Sequence, residues 1–290
     1  MNVRLALLPA LGLLCPVFAA PTVQLNERIA VSATAAPDYR PGDAPGVRRD
    51  ETYVFAEGKY FESETKDRGL ERTSFALLTK QLAPDLAKQR YFPTTDATAA
   101  DLLIVVYWGA TQVYEDPQRD QMLQQLADVL PAYTASIRET GMADPGEMNR
   151  ISDSLSWARD NAAAATARNA ALLGYARSLH RFGQDNGYLS EREKFLRVEL
   201  AEERYFVVLM AYDNRAFRQD KVRKLRWVTR LSVRTAGNNF LEALPVLSQA
   251  GSHVFGRQTE DLVHLKANLR EGRVDIGELR VVATEPARRE

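Results

Sequence analysis

The residues best suited to bind a ligand form a basic segment in the last third of the chain. Between Asp213 and Arg234, eight basic side chains are opposed by two acidic ones, and six of the eight are arginines. The planar guanidinium group suits phosphate and carboxylate. The segment therefore predicts a cationic surface for a phosphorylated glycan, a lipid headgroup or an acidic protein. The predicted binding residues are Arg215, Arg218, Arg223, Arg226, Arg230 and Arg234.

The same segment also has a purely structural interpretation. From Lys224 to Arg234 apolar and basic residues alternate, with Trp227 and Leu231 on the apolar side. Alternation of this kind is typical of an antiparallel strand with one buried and one solvated face. Charged residues on a solvated face also prevent strands from aggregating edge to edge. The pattern predicts that the odd-numbered residues are buried and the arginines are exposed.

Two aromatic residues form a second candidate binding feature. Trp108 ends an apolar segment, and Tyr114 follows it closely. Aromatic residues at the end of a buried strand can line a ligand cleft. The alternative is that they anchor the core or a loop.

Catalytic and cofactor motifs give little support for an enzyme. The sequence has no nucleophile elbow, no phosphate loop and no dinucleotide fingerprint, so it predicts no cofactor. The histidines, His180, His253 and His264, lie too far apart along the chain to share a metal on one helix, and no metal site is predicted. Carboxylates that converge only in the folded protein could still form an active site.

The elements that must position these residues predict an α+β fold. A strand at 51–61, a helix at 73–90 and a strand at 101–108 form a β-α-β unit. Residues 102–108 are apolar throughout, which predicts a strand covered on both faces. The complete domain, 51–283, is expected to contain one mixed sheet of about five strands packed with helices, with a largely helical insertion at about 116–200.

The chain begins with a segment typical of a secretory signal peptide. Residues 1–20 combine one positive charge, an apolar run and small residues, while Leu14 stands before Cys15 where a lipoprotein signal carries a small residue. We therefore expect cleavage without lipidation. Residues 21–50 are rich in proline and glycine, which predicts a flexible leader. Residues 284–290 are expected to be a tail.

Composition narrows the class of protein. Thirty-eight basic residues balance 38 acidic ones, which argues against a nucleic-acid-binding surface. No apolar run after the predicted signal peptide reaches the roughly 20 residues of a membrane span. Together with the signal peptide, this predicts a periplasmic or secreted protein without a transmembrane span in its mature chain.

Three segments carry a resemblance to known domains. They are Ala100–Tyr107, Val207–Asp213 and the pair Arg226-Trp227. The pattern of an apolar strand, an aspartate and a strand with a basic residue before tryptophan resembles secreted bacterial domains of unknown function. Those families are similar to the amino-terminal domain of TolB and to envelope assembly lipoproteins of the curli-secretion type. The resemblance implies a small α+β sandwich used for assembly or binding, with no catalytic residues.

These observations favour a non-catalytic envelope protein that binds a partner or supports assembly. Two alternatives remain open: a secreted hydrolase whose carboxylates converge in the fold, and a cationic module that binds glycan or lipid. A cleft with two close carboxyl groups of raised pKa would indicate the hydrolase. Salt-sensitive binding to anionic vesicles would indicate the cationic module.

We predict that export removes the first 19 or 20 residues. Small residues at Val17 and Ala19 follow the apolar run, as signal peptidase requires. Amino-terminal sequencing of the exported protein should therefore begin at Ala20 or Pro21. An exported chain that still begins at Met1 would contradict the interpretation of residues 1–20 as a signal peptide.

Overall fold

A computed structural model describes residues 27–39, 49–114, 118–140, 146–182, 189–268 and 273–275. The predicted signal peptide and the tail at 284–290 lie outside these residues. Within them, the α+β prediction is confirmed: the chain forms one mixed β-sheet packed with helices.

The sheet contains eight described strands, more than the five or so expected from sequence. Its order is β3-β2-β4-β5-β6-β1-β7-β8. β2 is parallel to both β3 and β4, and the other neighbours are antiparallel. The strands are β1 Glu27–Ala35, β2 Glu51–Phe61, β3 Tyr91–Pro93, β4 Leu102–Ala110, β5 Arg204–Asp213, β6 Leu225–Arg234, β7 Val263–Asn268 and β8 Arg273–Asp275.

Helices pack against both faces of this sheet. The described helices are α1 Arg68–Glu71, α2 Phe75–Ala87, α3 Arg119–Thr140, α4 Gly146–Leu173, α5 Ala176–Phe182, α6 Glu191–Leu200, α7 Asn214–Gln219 and α8 Phe240–Gly251. α1, α2 and α8 cover the first face, where they form the larger core with residues such as Leu82, Ile104 and Leu244. The end of α4, together with α5 and α6, covers the second face over Phe206 and Val208.

The β-α-β prediction for 51–108 is confirmed, because α2 connects the parallel strands β2 and β4. Ser74 caps α2 by accepting a hydrogen bond from the backbone of Leu77. The helix then buries Leu78, Leu82 and Leu86 on the first face, as their three- and four-residue spacing predicts. Helices α3 to α6 connect β4 to β5.

The prediction of a flexible leader at 21–50 is wrong for Glu27–Ala35. This segment forms β1, which pairs with β6 on one side and β7 on the other. Ile29, Val31 and Ala33 point into the larger core and are completely buried or nearly so. The alternation of apolar residues in this segment is short, and the prolines, glycines and alanines around it are more typical of a loop than of a strand.

The basic strand is not solvated on its second face. The odd-numbered residues of β6 are buried as predicted, from Trp227 to Val233, but Leu225 at the start is exposed. On the other face Val228 and Ser232 are also buried, and Arg226, Arg230 and Arg234 are half-buried rather than exposed. Helices from the insertion cover this face, which the alternation of the strand alone could not indicate.

We expect Trp227→Ala to destabilise the fold by about 3–5 kcal/mol, because loss of a fully packed indole leaves a cavity. Trp227 is 1% exposed and packs against Tyr91 and Phe255. Leu225→Ala on the same strand is a matched control, since Leu225 is 38% exposed. Its cost should be about 1 kcal/mol or less. Denaturant unfolding measures both, and equal costs would contradict the assigned packing.

Candidate functional site

A polar cleft lies at the end of the sheet where β2, β4 and β6 begin and β5 ends. Its volume is about 470 Å³. Six charged residues line it, three basic and three acidic. They are Arg215, Arg218, Arg226, Glu51, Asp101 and Asp213. We call this site the arginine cleft.

A tight connection between two central strands positions two of the arginines. β5 ends at Asp213, whose side chain caps α7 by accepting a hydrogen bond from the backbone of Ala216 at 2.9 Å. Arg215 and Arg218 follow three residues apart on this short helix, so they lie on the same side of it. The buried Asn214 side chain fastens α7 to the segment before β4 through the carbonyls of Ala97 and Ala100.

The arginines of the cleft differ in how far they are neutralised. Arg226 pairs with Asp38 at 3.2 Å and lies over the ring of Tyr39. Arg215 donates a hydrogen bond to the neutral Gln219 at 3.1 Å. Within the described residues, neither Arg215 nor Arg218 has a carboxylate oxygen within 4 Å. Two exposed guanidinium groups are therefore available to a ligand.

The charge of Arg218 has a small effect on the pKa of one carboxyl group, that of Asp96. The pKa of Asp96 is lowered mainly by hydrogen bonds from the side chain and backbone of Thr98, and to a smaller extent by the charge of Arg218. The main stabilisation of this carboxylate thus comes from its own turn. The guanidinium of Arg218 is left without a close anionic partner.

The carboxylates of the cleft accept hydrogen bonds from other groups of the protein. Glu51 accepts a hydrogen bond from Tyr39, Asp101 accepts two from Thr52, and Asp213 caps α7. These contacts fix the walls of the cleft by joining β2 to the segment before β4 and β5 to α7. These three carboxylates line one cleft, and each of them has a structural partner.

The other predicted binding residues lie elsewhere. Arg223 lines a separate apolar groove. Arg230 lies beside Gly174 at the end of α4, and its pKa is lowered by burial and by the charge of Arg177. Trp108 is buried in the core against Phe75 and Tyr60, not in a cleft.

Tyr114 and Arg234 are also outside the arginine cleft. Tyr114 contacts the ring of Trp157 on α4, with 6.5 Å between ring centroids. Arg234 ends β6 opposite Arg204 of β5. The structure therefore brings together three of the eight predicted residues, because of the segments that carry these eight only α7 and the start of β6 line the cleft.

A buried polar network on the second face was not predicted from the sequence. Glu199 of α6 contacts Nε2 of His264 of β7 at 2.7 Å and accepts a hydrogen bond from Tyr175 at 3.2 Å. Arg204, which is 2% exposed, lies 3.8 Å from the same carboxylate and donates hydrogen bonds to Ser232. These residues are far apart along the chain, so no local motif could have revealed them.

The network keeps Glu199 ionised. Burial alone would raise the pKa of Glu199, but the hydrogen bond and charge of His264, the charge of Arg204 and the hydrogen bond of Tyr175 together lower it. Burial also raises the pKa of Tyr175, which therefore stays protonated and donates to the carboxylate. The arrangement fastens α6 and the α4–α5 junction to the sheet.

Comparisons with known proteins add no assignment. No protein-family model matches this chain, and a search of curated proteins finds no match. The suggested resemblance to TolB-like and curli-secretion-type domains therefore stays a prediction.

Among the described residues, no three histidine, cysteine, aspartate or glutamate side chains form a group that could hold a metal ion. Of the helices in the described ranges, none combines the length and apolar character of a membrane span.

We expect Glu199→Gln to destabilise the protein by about 1–3 kcal/mol near neutral pH, because it weakens a buried charge-assisted network. The lowered pKa of Glu199 gives stability that is fully present above the ordinary glutamate value of about 4.3 and is lost as pH falls through the folded-state value. The difference between the parent and the variant should therefore shrink in acid.

Glu191→Gln is the matched control for this prediction. Glu191 lies on the same helix with its side chain 91% exposed. Denaturant unfolding of all three proteins at pH 7 and pH 3.5 tests the network. A Glu199→Gln cost that does not depend on pH, or that equals the cost of Glu191→Gln, would contradict its role.

Proposed function

We propose that this protein is a non-catalytic envelope protein, periplasmic or secreted, that binds the phosphate or carboxylate groups of a partner in the arginine cleft. The observation that carries the proposal is the pair Arg215 and Arg218. Both guanidinium groups face a 470 Å³ cleft, and neither has a carboxylate within ion-pairing distance among the described residues. The envelope location rests on the signal-like sequence of residues 1–20.

The geometry suits an anion for a simple electrostatic reason. Two neighbouring unpaired guanidinium groups repel each other, and an anion between them removes this repulsion while accepting several hydrogen bonds. Arg226 adds a third basic group, which Asp38 already neutralises in part. Hydrogen bonds of Asn214 and Asp213 fix the position of α7, the helix that carries the two free groups.

The acidic wall of the cleft limits which anions fit. Glu51, Asp101 and Asp213 line the same space and repel a ligand that is anionic over its whole surface. A phosphorylated sugar or a lipid headgroup carries a compact anionic group on a neutral polar body. Such a ligand can contact the arginines through its anion and the carboxylates through its polar groups. The hydroxyl groups of a sugar can donate hydrogen bonds to the carboxylates.

This arrangement supports binding better than hydrolysis. The carboxylates accept hydrogen bonds from Tyr39, Thr52 and the backbone of Ala216, and in these positions they support the cleft walls. A hydrolase of the convergent-carboxylate type needs one carboxyl group held protonated to act as the acid. Glu199, a buried carboxyl group of the second face, has a lowered pKa instead.

We expect the double variant Arg215→Gln, Arg218→Gln to bind an anionic ligand at least tenfold more weakly, because each guanidinium supplies charge-assisted hydrogen bonds. Suitable probes are glucose 6-phosphate and vesicles of phosphatidylglycerol in phosphatidylcholine. Higher salt should weaken binding by the parent protein. Thermal stability should change little, since both residues are exposed and neither forms an ion pair with a described residue.

Arg181→Gln, Arg197→Gln is the control double variant. Both arginines are half-exposed on other helices and already form ion pairs, with Asp261 and Glu193. It should bind as the parent does. Binding of the sugar phosphate alone indicates a glycan partner, and binding of the vesicles alone indicates a lipid surface. Equal binding by both double variants would reject the arginine cleft as the site.

A further inference from the structure

One part of the second sheet face is only half-buried. The apolar composition of β4 predicts burial on both faces, yet its residues alternate between buried and half-buried. Ile104 and Val106 are buried on the first face, while Leu103, Val105 and Tyr107 on the second are only half-buried. The core under the insertion helices covers β5, β6 and β1 and extends to Tyr107 of β4. Among the described residues, Leu103 and Val105 lie beyond this core and line a groove.

An apolar groove occupies this half-buried area. Its volume is about 210 Å³. Its floor is the second face of β4, and Tyr212 at the end of β5, Phe217 on α7 and Arg223 complete it. On β2, Gly58 allows the ring of Tyr107 to lie close, because a Cβ atom there would come within 3.0 Å of that ring. We call this site the β4 groove.

The β4 groove is linear and narrow. Leu103 and Tyr107 lie four residues apart on one strand face, so the floor between them is about 13 Å long. The volume is below the range of roughly 300–1,000 Å³ that is usual for drug-sized ligands. These dimensions suit a single extended chain better than a fused ring system or a bulky sugar.

A single positive charge stands at the groove. Arg223 is exposed and makes no hydrogen bond or ion pair with any described residue. Its guanidinium lies close enough to Tyr212 to oppose the rise that burial and the neighbouring Tyr107 cause in the pKa of that tyrosine. An apolar groove with one unpaired cation fits an apolar ligand with one anionic end.

We propose that the β4 groove binds a free single-chain fatty acid, with the acyl chain along Leu103, Val105 and Tyr107 and the carboxylate at Arg223. The proposal is independent of the arginine cleft, because no residue lines both sites. The chain buries apolar surface on β4, and the carboxylate supplies the counter-charge that Arg223 lacks. Phosphate without an acyl chain would bury no apolar surface in this groove.

Chain length provides the first test. Each methylene group buried in the groove should tighten binding by about two- to fourfold, since burial of one CH₂ group contributes about 0.8 kcal/mol at most. Calorimetric titration of the full chain with hexanoate, octanoate and decanoate, all below their aggregation concentrations, should show affinity that rises about four- to sixteenfold at each two-methylene step. Equal affinity for the three acids would overturn the proposal.

Variants provide the second test. Arg223→Gln should weaken decanoate binding about tenfold and leave binding of the uncharged decanol unchanged. Val105→Thr, which keeps the β-branched shape, should weaken decanoate and decanol alike by several-fold. Arg218→Gln is the control, because Arg218 lines the arginine cleft and should not affect decanoate.

The two sites can fail separately. If decanoate binding is lost in Arg218→Gln but kept in Arg223→Gln, the acid binds in the arginine cleft and the β4 groove proposal is wrong. If glucose 6-phosphate binding fails while the chain-length series behaves as expected, the arginine cleft proposal is wrong and the groove stands. Unchanged melting temperatures of the variants show that any loss of binding is local.

Discussion

Burial of both faces of β5 is the constraint on which the rest of the architecture depends. Tyr205, Val207 and Leu209 point into the larger core, and Phe206 and Val208 point into the smaller one. A strand of this composition must lie near the centre of the sheet with a helical layer on each side. The first layer comes from α1, α2 and α8, and the second comes from the insertion between β4 and β5.

The position of the second helical layer decides where ligands can bind. Glu199 fastens it to β7 through its contact with His264 and accepts a hydrogen bond from Tyr175. Arg204 contacts Glu199 and Ser232 over the middle of the sheet. The layer reaches Phe61 of β2 and Tyr107 of β4, whereas Leu103 and Val105 of β4 stay half-buried beside it. The β4 groove is what this incomplete coverage leaves, and α7 separates it from the arginine cleft at the end of the sheet.

Charge is distributed according to whether a group supports the fold or faces a cavity. Glu203 shows the first case: burial would raise its pKa, but hydrogen bonds from Ser63, Thr65 and Thr235 lower it and join three segments of the chain. Arg215, Arg218 and Arg223 show the second, because they are exposed beside cavities without described ion pairs. Unpaired groups of this kind are the part of the electrostatics that a ligand can use.

Local pattern in the sequence determined the α+β class, the β2-α2-β4 unit and the buried side of β6, because the periodicity of apolar residues reports which face of an element is covered. It also identified the basic segment that contains Arg215, Arg218 and Arg223. Tertiary structure alone decided that Arg230 is covered by the insertion, that Glu27–Ala35 is an interior strand and that Glu199 meets His264. These outcomes depend on which elements become neighbours in space, and residues distant along the chain carry no local periodicity that records such a contact.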